Sequence, residues 1–403
     1  MGRSMVWCVL VWLICWFVDS RDPQKIILDV DTAGLVRSGL DVDDDLAVLY
    51  ALGHPALEVL GITVTYGNAR QYQTFANAQR LVNSVALVSS TVPVLSGSDW
   101  YSRDLLAPTP AVEFIRDTVM AHPKKVAIVC LGALSNIAAA LTIYPEIEKN
   151  IESFVLMGGR VDGFELNFFA DMAATKVVFN ASVPKAVLPV EILVPLFFRN
   201  EDVSKLRSRC CDSGHTPAAV CEYLPAMDNA ATWNPVLFNR FVYSARPVGA
   251  GFHPWDLAAI ALLTDQGMFG QYTEYSVQIH PGSNVTFTFL DKDERSRHLL
   301  ANLAFIPSSI NNPKELRNHL LDHVCTIRHK SSDKLGSFSV HGYYFRFLSL
   351  WPLASLGIDQ FRLIALLLLL ALAVVVLGLL LMYECFCVPL ESNSRKGEKL
   401  KTN

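Results

Sequence analysis

The sequence has no run of basic residues in its body and no CxxC pair. Its 34 lysines and arginines are outnumbered by 38 aspartates and glutamates, so the formal net charge is −4. Proteins whose main partner is nucleic acid carry a basic patch or stripe, and the composition therefore argues against such a partner. The missing CxxC pairs argue against a structural zinc site. There is no internal repeat, and low complexity is confined to one apolar segment near the C terminus.

Long hydrophobic runs occur only towards the two ends of the chain. The first lies in residues 1–20, where Arg3 precedes an apolar stretch from Met5 to Val18. This length suits the hydrophobic region of a signal peptide and is too short to span a membrane comfortably. We predict a signal peptide over residues 1–20 with cleavage near Ser20, and an uncleaved anchor is the alternative.

The second run, LIALLLLLALAVVVLGLLLM at residues 363–382, contains no charge in 20 residues. A helix of this length spans about 30 Å, the thickness of the hydrocarbon core. We predict a membrane-proximal stalk over residues 331–358, a transmembrane helix over 363–383 and a short cytosolic tail over 384–403, whose basic residues fit the positive-inside rule. The implied protein is a single-pass type I membrane protein. Its main domain is extracellular or lumenal, at the plasma membrane or in the endosomal system.

Cysteines and glycosylation motifs agree with this location. Two of the nine cysteines lie in residues 1–20, and Cys385 and Cys387 follow the apolar segment, where cysteines are often palmitoylated. The triplets Asn180-Ala-Ser and Asn284-Val-Thr predict N-glycosylation. Five cysteines remain in the main domain, so at least one is unpaired, and their pairing is open: Cys130, Cys210, Cys211, Cys221 and Cys325.

Short apolar runs alternate with helical patterns across residues 25–190. The runs indicate strands: KIILDV, EVLGITVT, KKVAIVCLG, SFVLMGG and KAVLPVEI. The segments between them indicate helices: DDDLAVLYAL, residues 71–88, LSNIAAALTIY and DMAATKVVF. This alternation, with continuous apolarity in the strands, predicts an α/β fold, a single large domain over residues 21–330 with a mostly parallel central sheet flanked by helices. Ligands of such sheets bind beyond the carboxyl ends of the strands.

The remainder of the domain has a different pattern. Residues 199–251 are irregular and mostly helical, and a helix is predicted over residues 256–264. The runs YSVQIH and VTFTFL predict two strands joined by a turn at Pro281-Gly282. A last helix is predicted over residues 313–323.

Six aspartates lie between Asp29 and Asp45, directly behind the first predicted strand. A helix cap at Asp43 and acids that complement the helix dipole explain two of them. Carboxylates packed together raise one another's pKa unless a cation holds them. A hard divalent cation with oxygen ligands, Ca²⁺ or Mg²⁺, is the simplest explanation, so we predict a metal site here.

The same stretch, DVD…G…DVDDDLAVL, resembles the N-terminal signature of the nucleoside hydrolase family, the inosine-uridine and inosine-adenosine-guanosine hydrolases. Four later motifs that resemble the family follow in order: EVLGITVTYGN, VCLGALSNIAAAL, VLMGG followed by FELNFFADMAA, and HPWDLAAIAL. The resemblance implies calcium-dependent hydrolysis of the N-glycosidic bond of ribonucleosides to free base and ribose, in the service of purine salvage.

The resemblance also implies roles for individual residues. It places Asp31, Asp44, Asp256 and the backbone carbonyl of Leu131 on Ca²⁺, with Asp31 also the general base that takes a proton from the attacking water. Such a site rejects ligands without ribose hydroxyls, because its buried polar groups would stay unpaired. Four side chains are expected to hold those hydroxyls: Asp43, Asn68, Glu165 and Asn167. Two nearby polar residues are expected to be helix caps only: Asn136 and Asp171.

Trp255 stands where many members of the family have a histidine that protonates the leaving base. It resembles the purine-specific branch, in which a tryptophan stacks on the base, so we predict a preference for purine nucleosides. Trp100 is a candidate for the opposing ring, with a core or surface tryptophan as the alternative. His253 is a candidate proton donor to the leaving base.

Two features depart from the family pattern. The loop over residues 33–40 is several residues longer than usual and brings Arg37 near the metal site. The segment between Gly159 and Glu165 is shorter than in many members and lacks an asparagine that others use on the sugar, with Asp162 as a weak substitute. Either change alters specificity or leaves the fold without turnover.

Two alternatives from other classes compete with the enzyme. A catalytically silent nucleoside-binding surface protein would have the same fold, although the presence of every metal ligand favours the enzyme. A haloacid-dehalogenase-type phosphatase is suggested by ILDVDT, but Ala33 stands where that family has Thr or Val, and its later motifs are missing. The sequence leaves the oligomeric state open, and a homo-oligomer is compatible with it.

Overall fold

The computed structural model describes residues 22–34, 42–85, 92–99, 106–160, 165–211, 220–221, 224, 227, 251–280, 284–289 and 303–326. All of them belong to one of the two compact units of the chain, Met1–Ser331. The predicted signal peptide, stalk, transmembrane helix and cytosolic tail lie outside the described residues and stay predictions. Within the described ranges, no helix combines the length and the apolarity needed to cross a membrane.

The described strands are β1 (Gln24–Val30), β2 (Leu57–Val64), β3 (Val94–Ser96), β4 (Val126–Cys130), β5 (Ser153–Met157), β6 (Lys185–Leu188), β7 (Phe198–Arg199), β8 (Gly251–Phe252), β9 (Tyr272–His280), β10 (Asn284–Phe289) and β11 (Leu303–Pro307). Nine of them form one sheet in the order β10-β9-β11-β6-β5-β4-β1-β2-β3. Within it only β9 pairs antiparallel, with β10 and β11. β7 and β8 form a separate antiparallel pair. The predicted α/β fold with a mostly parallel sheet is therefore confirmed.

The described α-helices are α1 (Asp43–Gly53), α2 (Gln71–Ser84), α3 (Pro110–Ala121), α4 (Ser135–Ile143), α5 (Leu166–Ala170), α6 (Met172–Asn180), α7 (Val190–Leu193), α8 (Asn200–Leu206), α9 (Trp255–Thr264) and α10 (Pro313–Thr326). Single 3₁₀ segments follow α4 and α9, at Pro145–Asn150 and Gln266–Met268. A π-helical turn, Arg207–Cys211, continues α8.

β1 is buried on both faces, as its continuous apolarity indicates. Ile26, Leu28 and Val30 pack into one core with residues of α1, α2, α9 and α10. Ile27 faces the opposite core, which is lined by α3, α4 and α6. Each such buried side chain contributes about 2 kcal/mol of hydrophobic free energy. This strand is therefore held rigidly, and so is the polar segment at its carboxyl end.

Two sequence predictions are wrong at element ends. The strand predicted over residues 185–192 ends at Leu188, because Pro189 is followed by the short helix α7. Proline lacks a backbone N–H and favours a helix start over a central strand. The helix predicted over residues 71–88 ends at Ser84, where Val85 takes an extended backbone (φ −88°, ψ 123°).

Two disulfides tie the end of the domain together. Cys210 in the π-helical turn pairs with Cys325 in α10, and Cys211 pairs with Cys221. Cys130 in β4 is buried and unpaired. The prediction that at least one of these five cysteines is unpaired is confirmed, and Cys130 packs as a small apolar side chain.

Candidate active site

β1 lies at the point where the strand order reverses. The chain runs from β1 outward to β2 and β3, and then crosses to β4, β5 and β6 on the other side. Open parallel sheets bind ligands in the crevice at the carboxyl ends of the strands at such a point. Asp31 follows the end of β1 and Leu131 follows the end of β4, and the Leu131 N–H donates to the Asp29 carbonyl at 2.8 Å. The topology thus brings two predicted site residues to one crevice.

Three carboxylates converge beside this crevice. Asp43, Asp44 and Asp256 are buried, and one oxygen of each lies within 4.8 Å of the others. The first turn of α1 provides Asp43 and Asp44, and Asp256 is the second residue of α9, which packs against α1. The structure therefore joins residues that are more than 200 positions apart, as the sequence motifs predict.

Asn68 ties Asp31 to this group. Its backbone N–H donates to Asp31 Oδ2 at 2.9 Å. Its side-chain amide donates to Asp31 Oδ1 at 3.3 Å and to Asp44 Oδ2 at 2.9 Å. Asn68 therefore orients two of the predicted metal ligands, a contact that the sequence did not indicate.

Two glycines allow the backbone to approach Asp31 closely. A Cβ atom at Gly67 would lie 1.7 Å from Asp31 Oδ2. A Cβ atom at Gly132 would lie 3.0 Å from Asp31 Cγ and 2.9 Å from Thr65 Cγ2. A side chain at position 67 would therefore displace the Asp31 carboxylate or the segment that carries Asn68.

Burial raises the pKa of the carboxyls in this crevice. The pKa of Asp31 rises to about 7, chiefly because burial removes water from the carboxylate, and the charge of Asp43 adds to the effect. The pKa of Asp256 lies well above its ordinary value through burial and through the charges of Asp43, Asp44 and Asp31. Asp256 Oδ1 is buried and has no hydrogen-bond partner among the described residues. A divalent cation with oxygen ligands would relieve the repulsion and satisfy this oxygen, so the residues fit a metal ion.

Asp43 caps a different helix from the one that it begins. The N-cap of α1 is Val42, so the expected cap at Asp43 is wrong. Asp43 Oδ2 instead accepts the backbone N–H groups of Trp255 at 3.0 Å and Asp256 at 3.3 Å. These N–H groups have no partner within their own helix, and a carboxylate is favourable at the positive end of the helix dipole. One side chain thus fixes α9 against α1.

Asp29 anchors the carboxyl end of β1 through buried hydrogen bonds. Its Oδ1 accepts from the Thr63 hydroxyl at 2.6 Å and from the Asn136 amide at 2.8 Å. Asn136 also donates to the Val64 carbonyl at 3.1 Å and accepts from the Ser98 N–H at 2.8 Å. The expectation that Asn136 caps a helix is therefore wrong, because its side chain links β1, β2 and Ser98, which follows β3.

Asp45 is the centre of a second buried hydrogen-bond network. Its Oδ1 accepts from the Thr32 hydroxyl and, at 2.8 Å, from the Asn77 amide, which also donates to Thr32 at 2.8 Å. Burial raises the pKa of Asp45 to about 8, against the opposing hydrogen bond from Asn77. Thr32 follows Asp31 and Asp45 follows Asp44, so this hydrogen-bond network holds the backbone beside both predicted metal ligands.

Glu165 and Asn167 form the wall of the crevice on the side of β5. Glu165 accepts the N–H groups of Asn167 at 2.7 Å, Phe168 at 3.1 Å and Gly159 at 2.9 Å, and thereby caps α5. The Asn167 amide donates to the Leu131 carbonyl at 2.7 Å. The Leu131 carbonyl, which is predicted to bind the metal, therefore already accepts one hydrogen bond, and its oxygen has a second lone pair.

Asp171 is the helix cap that the sequence predicts. It is the N-cap of α6, and its carboxylate accepts the Ala174 N–H at 3.0 Å. The Ser135 hydroxyl donates to its other oxygen at 2.8 Å. This pairing joins α4 to α6 below Glu165.

Trp255 carries a half-buried indole ring at the start of α9. The His253 ring is stacked on it with the centroids 5.3 Å apart and the planes 16° apart. The Phe197 ring meets His253 edge to face at 4.8 Å. An aromatic group therefore lies beside Asp43, where the sequence predicts the base.

The family is decided by comparison with known proteins. A family model for the inosine-uridine preferring nucleoside hydrolases matches residues 26–314, which include every site residue described above. The chain belongs to this nucleoside hydrolase family. The predicted family membership is thus confirmed.

Proteins that match this chain carry different substrate preferences in their names. The pyrimidine-specific ribonucleoside hydrolase RihB of Escherichia coli (strain SE11) is 31% identical in an alignment of 198 residues that covers 42% of this chain and 61% of that relative. The structure of a purine-preferring ribonucleoside hydrolase from Gardnerella vaginalis matches with a TM-score of 0.59 and 23% identity over 75% of this chain and 98% of that one. A plant nucleoside hydrolase, PpNRh1, matches with a TM-score of 0.58 and 20% identity over the same shares. These two structures show the shared fold.

Three site predictions for this family member lie outside the described residues. They concern Trp100 as a base-stacking ring, Arg37 in the loop near the metal site, and Asp162 on the sugar. All three stay predictions.

Several residues that hold the candidate site together were not singled out from the sequence. Thr63 and Asn77 are polar residues on buried elements, which is a signal for buried hydrogen bonding but names no partner. Gly67 carries a better signal, because a glycine directly before a predicted site residue often marks a close backbone approach.

Proposed function

We propose that this member of the nucleoside hydrolase family cleaves the N-glycosidic bond of ribonucleosides to free base and ribose, prefers purine nucleosides and uses Ca²⁺. The observation that carries the proposal is the convergence of Asp43, Asp44 and Asp256 within 4.8 Å, next to Asp31 at the switch point of the sheet. A cluster of buried carboxylates that lack some of their hydrogen-bond partners suits a bound cation and a positively charged transition state.

The chemistry needs a water that is deprotonated as it attacks the anomeric carbon. Asp31 is the proposed general base, since its carboxylate is held in place by two hydrogen bonds from Asn68. Ca²⁺ held by Asp31, Asp44, Asp256 and the Leu131 carbonyl would supply the positive charge that lowers the pKa of this water. The remaining carboxylates stabilise the oxocarbenium-like sugar as the bond to the base breaks.

The ribose hydroxyls are assigned to Asp43, Asn68, Glu165 and Asn167. Asn68, Glu165 and Asn167 are only 8%, 7% and 8% exposed, so water reaches their polar atoms poorly. A nucleoside that lacks a hydroxyl would leave one of these groups unpaired in the closed site. Sites built in this way reject such analogues by about 10⁴-fold or more.

The preference for purines rests on Trp255. Its backbone N–H is bound to Asp43, so the indole is tied to a residue assigned to the sugar. Stacking on an indole favours the base with the larger ring face. The names of these similar proteins point both ways, since RihB is called pyrimidine-specific and the Gardnerella enzyme purine-preferring. Base preference is therefore a direct test of this assignment.

We also propose that the domain works on the extracellular or lumenal side of a membrane, anchored by residues 363–383 as a type I protein. Support comes from the two disulfides, which persist in oxidising compartments. Asn180, in the first predicted glycosylation motif, is exposed at the end of α6, and Asn284 begins β10.

The test is base release by the full-length protein from a secretory expression host. Inosine, adenosine, guanosine and uridine are offered with Ca²⁺ and with a chelator, to the wild type, to Asp31→Asn and to Asp117→Asn as an exposed control. We expect release of purines that needs Ca²⁺ and that Asp31→Asn abolishes. Absence of release from any nucleoside would favour the silent nucleoside-binding protein. Release that survives chelation, or a preference for uridine, would refute the metal or the base assignment, respectively.

A further inference from the structure

Three rings form what we call the aromatic ladder: Phe197, His253 and Trp255. The His253 ring lies against the Trp255 indole, with 5.3 Å between centroids and 16° between planes. The Phe197 ring meets the His253 ring edge to face, with 4.8 Å between centroids and 65° between planes. Both geometries lie in the favourable range for aromatic pairs. The indole is therefore backed by two further rings.

The small β7–β8 sheet fixes the positions of Phe197 and His253 in the ladder. Phe198 pairs with Phe252, and their rings also pack edge to face at 5.6 Å. A Cβ atom at Gly251 would lie 2.4 Å from Cε1 of Phe197, so the ring of Phe197 fits only against a glycine. Phe197 and His253 directly adjoin this pair of strands, and they are therefore brought together by its register.

His253 has its ring orientation set by the backbone. Its Nδ1 lies 2.8 Å from the Leu196 carbonyl oxygen, which can only accept, so Nδ1 carries the proton and donates it there. Burial lowers the pKa of His253, which keeps the imidazole neutral near pH 7. Its one proton is thus committed to the backbone, and this arrangement does not suit a proton donor to a leaving base.

We propose that His253 is a positioning residue whose ring face holds the Trp255 indole parallel to the plane of the incoming base. The inference rests on the proposed function, since it concerns the base side of the same site. An indole that is fixed before the nucleoside arrives does not have to be ordered on binding, which lowers KM. A base with two fused rings overlaps a fixed indole more fully than a single ring does, so the ladder strengthens the preference for purines.

Two substitutions of His253 in the full-length protein separate the ring from the proton. His253→Phe keeps a flat ring but has no titratable group and no bond to Leu196. His253→Asn keeps an amide donor for the Leu196 carbonyl but has no ring. We measure kcat and KM for inosine and uridine, together with the pH profile of kcat. We expect His253→Phe to match the wild type within about twofold, and His253→Asn to raise KM for inosine about 3- to 10-fold with kcat unchanged.

The same two substitutions at His54 are matched controls. His54 also packs against rings, those of Tyr50 and His323 in tilted contacts at 5.1 and 4.5 Å, but lies at the opposite end of α1 from the carboxylates. Neither control should change KM. Phe197→Leu, which removes only the outer ring, should raise KM for inosine in the same direction as His253→Asn.

Each outcome has a distinct meaning. A fall in kcat in both His253 variants, with loss of one limb of the pH profile, would make His253 the proton donor and overturn the inference. Loss of affinity in His253→Phe but not in His253→Asn would assign the effect to the Leu196 bond and also overturn it. If the wild type releases no base, the proposed function fails. The affinity of the same variants for inosine, measured by calorimetry, then tests the aromatic ladder. If the wild type does not bind inosine, both the proposed function and the ladder inference are overturned.

Discussion

Removal of the cation should destabilise the protein, and more strongly at neutral pH than at acidic pH. The pKa of Asp31 rises from 3.8 to about 7 on folding without a cation. A carboxyl whose folded pKa is raised contributes stability that is complete below its unfolded pKa and is lost as the pH rises through the folded pKa. The metal-free protein should therefore lose stability between about pH 4 and pH 7. Each pKa unit is worth about 1.4 kcal/mol, so the loss is about 2 kcal/mol at pH 5 and about 4 kcal/mol at pH 7.5.

A bound cation favours the ionised carboxylates and removes this loss. For a domain of this size, 1 kcal/mol corresponds to about 2 °C in Tm. Chelation should then lower Tm by about 4 °C at pH 5 and by about 8 °C at pH 7.5. Differential scanning fluorimetry of the full-length protein, at one scan rate with Ca²⁺ or with chelator, measures this difference.

Asp256→Asn is the decisive variant in this experiment. It removes one repelling charge, so the metal-free protein should melt at a higher temperature than the metal-free wild type, and chelation should no longer matter. Asp117→Asn, an exposed acid on α3, should respond to chelation as the wild type does. The reasoning would be refuted by an equal or larger effect of chelation at pH 5, or by an unchanged response in Asp256→Asn.

Three further predictions concern the frame of the site. Gly67→Ala should lower kcat/KM at least about 100-fold with the fold intact, because its methyl group would lie 1.7 Å from an Asp31 oxygen. Lys185→Met should flatten the pH dependence of stability. Burial lowers the pKa of Lys185 to about 8. The wild type therefore gains about 2–3 kcal/mol of stability as the pH rises from about 8 to 10, and the variant should lack this gain. Reduction of the two disulfides should lower the free energy of unfolding by about 4 kcal/mol or more, measured by urea titration.

Controls for these predictions are available in the same chain. Gly267→Ala is matched to Gly67→Ala, because a Cβ atom there meets nothing within 4 Å, and it should leave kcat/KM unchanged. An inactive Gly267→Ala, or an active Gly67→Ala, would contradict the close-approach argument. A Lys185→Met variant with the same alkaline gain in stability as the wild type would show that another group titrates. Unfolding that ignores the reductant would mean that the disulfides add nothing to stability.

The sheet was predictable because its strands are buried on both faces. Continuous apolarity marks β1, β2, β4 and β5 so clearly that their positions agree with the prediction to within a few residues. β3, with three residues, is too short to leave such a pattern. β11 pairs through its backbone with β6 and β9, and those partners are not encoded in its own five residues.

The convergence of the buried carboxylates was predictable, but their individual contacts were not. The resemblance of the motifs to the family placed Asp31, Asp44 and Asp256 in one site, and the structure brings the carboxylates of Asp44 and Asp256 together. Nothing local to Asp43 reveals that its carboxylate caps α9, since the two groups are 212 and 213 positions apart. Asn136 likewise sits in a helical pattern, and only the packing of α4 on the sheet directs its amide to Asp29.

The cap that Asp43 places on α9 has a consequence for the order of events during synthesis. Asp43 and Asp256 are 213 residues apart, so at about 5–20 residues per second the ribosome needs about 10–40 s to extend the chain from one to the other. During this interval the early aspartates lack their partner helix, and no complete cation site exists. The proposed Ca²⁺ would then bind only to a finished domain. In the proposed extracellular or lumenal location, calcium would favour the completed chain over every shorter intermediate.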